Sequence, residues 1–174
     1  MSKTFPVSLN LTIAVLFFAI AVGCNQEDEQ QQFESSAFQA PSNYTPMTLD
    51  GKPDGDPDED DWRISPMYSG LVRFYSDENV RYPYPNSVAT DQRVTVELYI
   101  SLDALNGIIV GGYNDQDEFI RLFSTYDTPN GLTSFTINPT DIAQFGGQQA
   151  VGLHRIYIFD TTDNLVTYGD IKID

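Results

Sequence analysis

The sequence predicts an all-β fold, two antiparallel sheets packed face to face, in the last two-thirds of a 174-residue chain. Three observations predict it. Val94, Val96, Leu98, Ile100 and Leu102 alternate with Arg93, Thr95, Glu97, Tyr99 and Ser101, the period of two that marks a strand with one buried face. Further short apolar runs follow at close spacing with turn residues between them. No window from Trp62 onward carries an apolar stripe at helical period over three turns.

Taken in order, the expected strands are Leu71–Tyr75, the alternating run to Leu102, Leu105–Gly111, Phe119–Thr125, Thr133–Ile137, Leu153–Phe159 and Leu165–Ile173. Asn106-Gly107, Asn114-Asp115, Pro129-Asn130-Gly131 and Thr162-Asp163-Asn164 supply the turns. Asp141–Phe145, after Pro139, reads as one short helical turn. About seven strands in such a length fit a β-sandwich of immunoglobulin type. A small barrel is the alternative, because strand patterns do not say which edges pair. The chain has one cysteine, so no disulfide links the sheets. Trp62, Phe74, Phe119, Phe123, Phe135 and Phe159 are the expected core aromatics. Tyr84-Pro85-Asn86-Ser87, followed by Asp91 and the alternating strand, resembles the opening of immunoglobulin-like modules that end many secreted bacterial proteins, with Ser87 where a second proline is usual. Val166–Ile173 loosely resembles their closing strand.

The N-terminus reads differently. Lys3 is the only charge before an apolar run from Leu9 to Val22, broken by Asn10 and Thr12, that ends Ala21-Val22-Gly23-Cys24. A positive start, a short apolar stretch and small residues before a cleavage point make a secretory signal over residues 1–23. An uncleaved membrane span is the alternative, although the run is shorter than the roughly 20 residues a span needs. The last four residues resemble the lipobox of bacterial lipoproteins, with Ala21 where leucine is more usual. The resemblance implies lipidation of Cys24, attachment to the outer membrane and no disulfide role for this thiol. Asn25-Gln26-Glu27-Asp28-Glu29 is similar to the surface-export signal of some Gram-negative lipoproteins, which implies display on the cell surface.

Residues 24–61 read as a flexible acidic tether, with three glutamines in a row, scattered prolines and no sustained apolar period. The composition changes at Trp62, which sets the domain boundaries at 62–174. A formal net charge of -16 repels phosphate backbones and excludes nucleic acid as a partner.

Candidate chemistry is sparse. His154 is the only histidine and reads as a strand residue on the face of Ile156 and Ile158. A serine triad would need this residue, but the sequence has no Gly-x-Ser-x-Gly elbow, and a zinc site does not assemble from one histidine and a lipidated Cys24. Asp54, Asp56, Asp58, Asp60 and Asp61 offer oxygen ligands of the type calcium takes. Pro53 and Pro57 interrupt the run and no glutamate follows at EF-hand spacing, so it is expected to be a spacer that holds no metal. Asp77-Glu78 and Asp117-Glu118 lack a cleft motif for glycosidase chemistry. Tyr68, Tyr75, Tyr82, Tyr84, Tyr99, Tyr113, Tyr126, Tyr157 and Tyr168 include outward strand positions suited to recognising a sugar or a protein. The expected role is a non-catalytic interaction or accessory module with no cofactor, bound to the membrane by lipid and meeting another envelope protein. A surface glycan-binding lipoprotein is the alternative.

Overall fold

A computed structural model describes residues 27–75, 80–142 and 151–174. Seven strands form two antiparallel sheets: β1 (Val72–Phe74), β2 (Val94–Ile100), β3 (Ile108–Tyr113), β4 (Phe119–Thr125), β5 (Gly131–Ile137), β6 (Gly152–Asp160) and β7 (Leu165–Ile173). One sheet has the order β1-β2-β5 and the other β4-β3-β6-β7. The chain crosses between sheets after β2, β4 and β5, which is Greek-key sandwich connectivity of the immunoglobulin kind. The sheets do not close into a barrel.

The alternation read in β2 is the alternation observed. Val94, Val96, Leu98 and Ile100 are buried, and the residues between them are half-exposed. They meet Ile108, Val110, Ile156, Ile158, Ile171 and Ile173 of the facing sheet in one core. The strand stops at Ile100, short of Leu102, because Leu102 and Asp103 adopt positive φ angles of 57° and 53°, which end a ladder. The third strand begins at Ile108, later than expected from Leu105, and runs on to Tyr113. The Leu105 carbonyl accepts the Thr128 hydroxyl instead of a strand partner. The helical turn expected near Pro139 is described over Pro139–Ile142; positions 143–145 of the expected turn lie outside the described residues.

Two of the expected core aromatics belong elsewhere. Trp62, Phe74 and Phe135 are in the inter-sheet core, with Phe123 packed against it. Phe119 and Phe159 instead join a second apolar cluster with Phe33, Ala37, Tyr157, Leu165 and Tyr168. Phe159 alternates with the inward Ile158, so it points to the outer face of the four-stranded sheet. Phe119 is placed there by the register shift between Val110 and Gly111, which breaks simple alternation along β4: a bulge turns residues on its two sides to opposite faces.

The segment 27–61 is not a free tether in the structure. Residues 27–37 form a helix, α1. Its Phe33 and Ala37 are buried against Tyr157, Leu165 and Tyr168, and Phe33 lies 5.2 Å from the Tyr168 ring. Gln30 accepts the Ser65 hydroxyl at 2.8 Å. The chain then runs back along the outer edge of β7. Asn86 of the Tyr-Pro-Asn-Ser element ties this strap down: its amide donates to the carbonyls of Thr45 and Asp170 at 3.0 and 2.9 Å, and its oxygen accepts the Lys172 N–H at 2.9 Å. Trp62 and Ser65 donate to Tyr168 and Val166, and Val88 to Lys172. The edge of β7 is thereby covered, as exposed sheet edges in stable proteins generally must be. Gly169 permits the close fit of Trp62: a Cβ there would lie 2.3 Å from the indole Cδ2.

Candidate functional site

Two features stand out on the outer face of the four-stranded sheet, a buried charged cluster and an aromatic groove beside it. Arg155 on β6 and Asp170 on β7 are cross-strand partners. They form a two-pronged ion pair, Nε to Oδ1 at 2.8 Å and Nη2 to Oδ2 at 2.7 Å, the geometry in which a guanidinium binds a carboxylate most strongly. The remaining nitrogen, Nη1, donates to the carbonyls of Ser36, Ala37 and Gln39 at 3.1, 3.1 and 2.7 Å. Those are carbonyls at the end of α1, which have no partner within a helix. One side chain thus closes the helix and joins it to the sheet. The Tyr157 hydroxyl adds a bond to the Ala37 carbonyl at 3.0 Å.

Asp61 completes the cluster. Its carboxylate accepts the N–H groups of Thr45 and Asp170, both at 2.7 Å. Burial, with the Asp170 charge adding to it, pushes its pKa up to about 7, against the pull of the two N–H groups. Burial also raises Asp170, opposed by Arg155. Arg155 itself is lowered by burial, but its bond to Asp170 outweighs this and the net shift is upward. Folded chains therefore bind a proton at Asp61 up to about pH 7, whereas unfolded chains release it near pH 4. Stability falls as pH rises through that window and levels off above it. Each tenfold difference in proton affinity between the folded and unfolded chain is worth about 1.4 kcal/mol, so Asp61 contributes up to about 4 kcal/mol. Asp160 acts in the opposite sense. Burial alone would raise it, but the Tyr68 hydroxyl, Asn164 and Thr162 bond to it and hold it at about 2, so its contribution is present above pH 4 and lost in stronger acid. Urea unfolding at pH 5 and pH 8 is expected to show the wild-type chain less stable at the higher pH, and Asp61→Asn to flatten that difference. An unchanged slope in the variant would place the titration elsewhere.

The groove, of about 530 Å³, lies between the segment after α1 and the β3–β4 turn. Phe38, Gln39, Ala40 and Pro41 form one wall; Tyr113, Asp115 and Asp117 form the other; Leu153, His154, Arg155 and Tyr157 line its base. Phe38 stacks on Tyr157 at 5.5 Å, and Tyr113 meets both rings edge-on at 6.0 and 5.3 Å. Phe38 remains 58% exposed and Tyr113 38%. Asn114 organises the turn, its side-chain oxygen accepting the N–H groups of Gln116 and Glu118.

The predicted site residues are thus distributed as follows. Tyr113 and Tyr157 meet in the groove, and His154, half-buried, lines its base. Tyr68 and Tyr168 are buried, Tyr99 points outward under the Arg73 guanidinium at 4.8 Å, and Tyr126 is exposed outside the groove. Asp54, Asp56 and Asp60 are exposed while Asp61 is buried. Among the described residues no group of three or more His, Cys, Asp or Glu side chains gathers where a metal could be held. Asp117 and Glu118 are exposed in the hairpin turn. Cys24, the signal residues 1–23 and Asp77-Glu78 lie outside the described residues. Phe38 and Arg155 were not legible as site residues. Phe38 lies in the segment read as tether, and the pairing of Arg155 requires the β6–β7 register. No family model, curated protein or solved structure matches the chain.

Proposed function

We propose that the chain is an exported lipoprotein, cleaved before Cys24, acylated there and held on the outer membrane facing the cell exterior. In this reading the sandwich is a non-catalytic binding module. The observation that carries the reading is the position of the chain's single cysteine, directly after Gly23 at the end of the apolar run. The groove is consistent with binding: it offers exposed aromatic rings beside carboxylates, and among the described residues its lining includes no serine or cysteine nucleophile.

Fractionation tests the anchor. Wild-type chain is expected in the membrane pellet and Cys24→Ala in the soluble fraction with its sandwich intact, since a net charge of -16 does not favour anionic lipid. A Cys24→Ala chain that still pellets through its apolar run would overturn the reading. Glycan binding is the second reading, favoured by the flat exposed faces of Phe38 and Tyr113, which suit stacking against a sugar ring.

A further inference from the structure

We infer that the groove between residues 38–41 and the β3–β4 turn binds a basic polypeptide segment, with a Lys or Arg side chain lying across Phe38 and Tyr113 and its cation at Asp115 and Asp117. The inference rests on the binding-module reading and names the partner of that site. Its first support is charge. The carboxylates of Asp115 and Asp117 make no hydrogen bond or ion pair among the described residues, although neighbouring Asn114 and Glu118 are bonded to each other. The one strong cation at the base, Arg155, is neutralised by Asp170 and occupied by three carbonyls. The groove therefore presents uncompensated negative charge within a chain of net charge -16, which favours and steers cationic partners.

The second support is how this protein treats four of its tyrosines. Arg73 lies over Tyr99, Arg81 over Tyr84, Arg155 over Tyr168 and Lys172 over Tyr44, at 4.8 to 5.6 Å. Tyr113 is a fifth tyrosine, with Phe38 against it and carboxylates in the same groove, and among the described residues no cation lies over either ring. A long basic side chain satisfies both halves of the site, its methylene stem covering the apolar rings and its head reaching the carboxylates. A neutral sugar would use the rings and leave the charge unanswered.

The full chain in detergent, titrated calorimetrically with blocked tetralysine and tetra-arginine peptides, tests this against tetraglutamate and a neutral oligosaccharide. Saturable one-to-one binding of the basic peptides, weakened by salt, is expected. Asp115→Asn with Asp117→Asn should lower affinity about tenfold, and Tyr113→Ala about two- to fivefold. Asn is tolerated at position 117, where φ is 59°. Asp54→Asn with Asp56→Asn removes the same charge outside the groove and should change affinity less than about twofold, because distant exposed charges are screened. Equal losses in both double variants would show attraction to bulk charge and overturn the proposal. So would absence of saturable binding, or binding of the oligosaccharide alone, which would assign the groove to sugars. None of these outcomes bears on the lipid anchor, which the fractionation of Cys24→Ala reads separately.

Discussion

Replacing Arg155 with methionine is expected to cost about 3–5 kcal/mol of stability, the range for removing one partner of a buried ion pair. Methionine keeps most of the packing volume of the stem, so the loss reports the charge and its hydrogen bonds. The Asp170 side chain is only 3% exposed, and without the guanidinium it would face the Asp61 carboxylate in a site that water cannot reach. The three carbonyls at the end of α1 would also lose this donor, Ala37 keeping the Tyr157 hydroxyl and Ser36 the Gln39 N–H. The direction of the pH response follows. With Arg155 gone, Asp170 should be raised further, so the variant should regain stability on acidification more steeply than the wild type. The double variant Arg155→Met with Asp170→Asn removes both charges and should recover much of the loss. Urea denaturation of the three chains measures this. A loss below about 1 kcal/mol in the single variant, as expected for an exposed pair, would mean that the cluster is open to solvent.

Phe33→Ala is expected to release α1 from the sheet. Truncating a buried phenylalanine costs about 3–5 kcal/mol when the surroundings cannot collapse. The helical residues 27–37 bury only Phe33 and Ala37, so packing of Phe33 is the main apolar hold on this segment. The sandwich has its own inter-sheet core, so it should survive the change. Limited proteolysis should then cut the variant within residues 27–44 under conditions in which the wild-type chain resists. Amide exchange should rise in the same segment and stay low in β2 and β6. Equal resistance of the two chains would show that α1 is held by its polar bonds alone.

The strands were legible because their signal is local. Phe119–Thr125 and Leu165–Ile173 are observed with the boundaries read from the sequence, since alternation and flanking turn residues need no knowledge of partners. What was not legible depends on contacts distant in sequence. The segment 27–37 looks polar by composition, because only Phe33 and Ala37 face the sheet. That four-residue spacing is the trace a single buried helical turn leaves, and it is too short to register as a stripe. The outward placement of Phe119 depends on a bulge set by pairing with β3. The groove draws its two walls from residues 38–41 and 113–117, which meet only once α1 has docked. Tyr113 was readable as a recognition residue; Phe38 was not, because nothing local distinguishes it from a side chain on a solvated linker.

The covalent state of the mature N-terminus bears most directly on the lipid-anchored module, and intact-mass spectrometry of the chain extracted from membranes measures it. A mass that lacks residues 1–23 and carries acyl groups on Cys24 is predicted. A mass that retains residues 1–23 with an unmodified cysteine would contradict it.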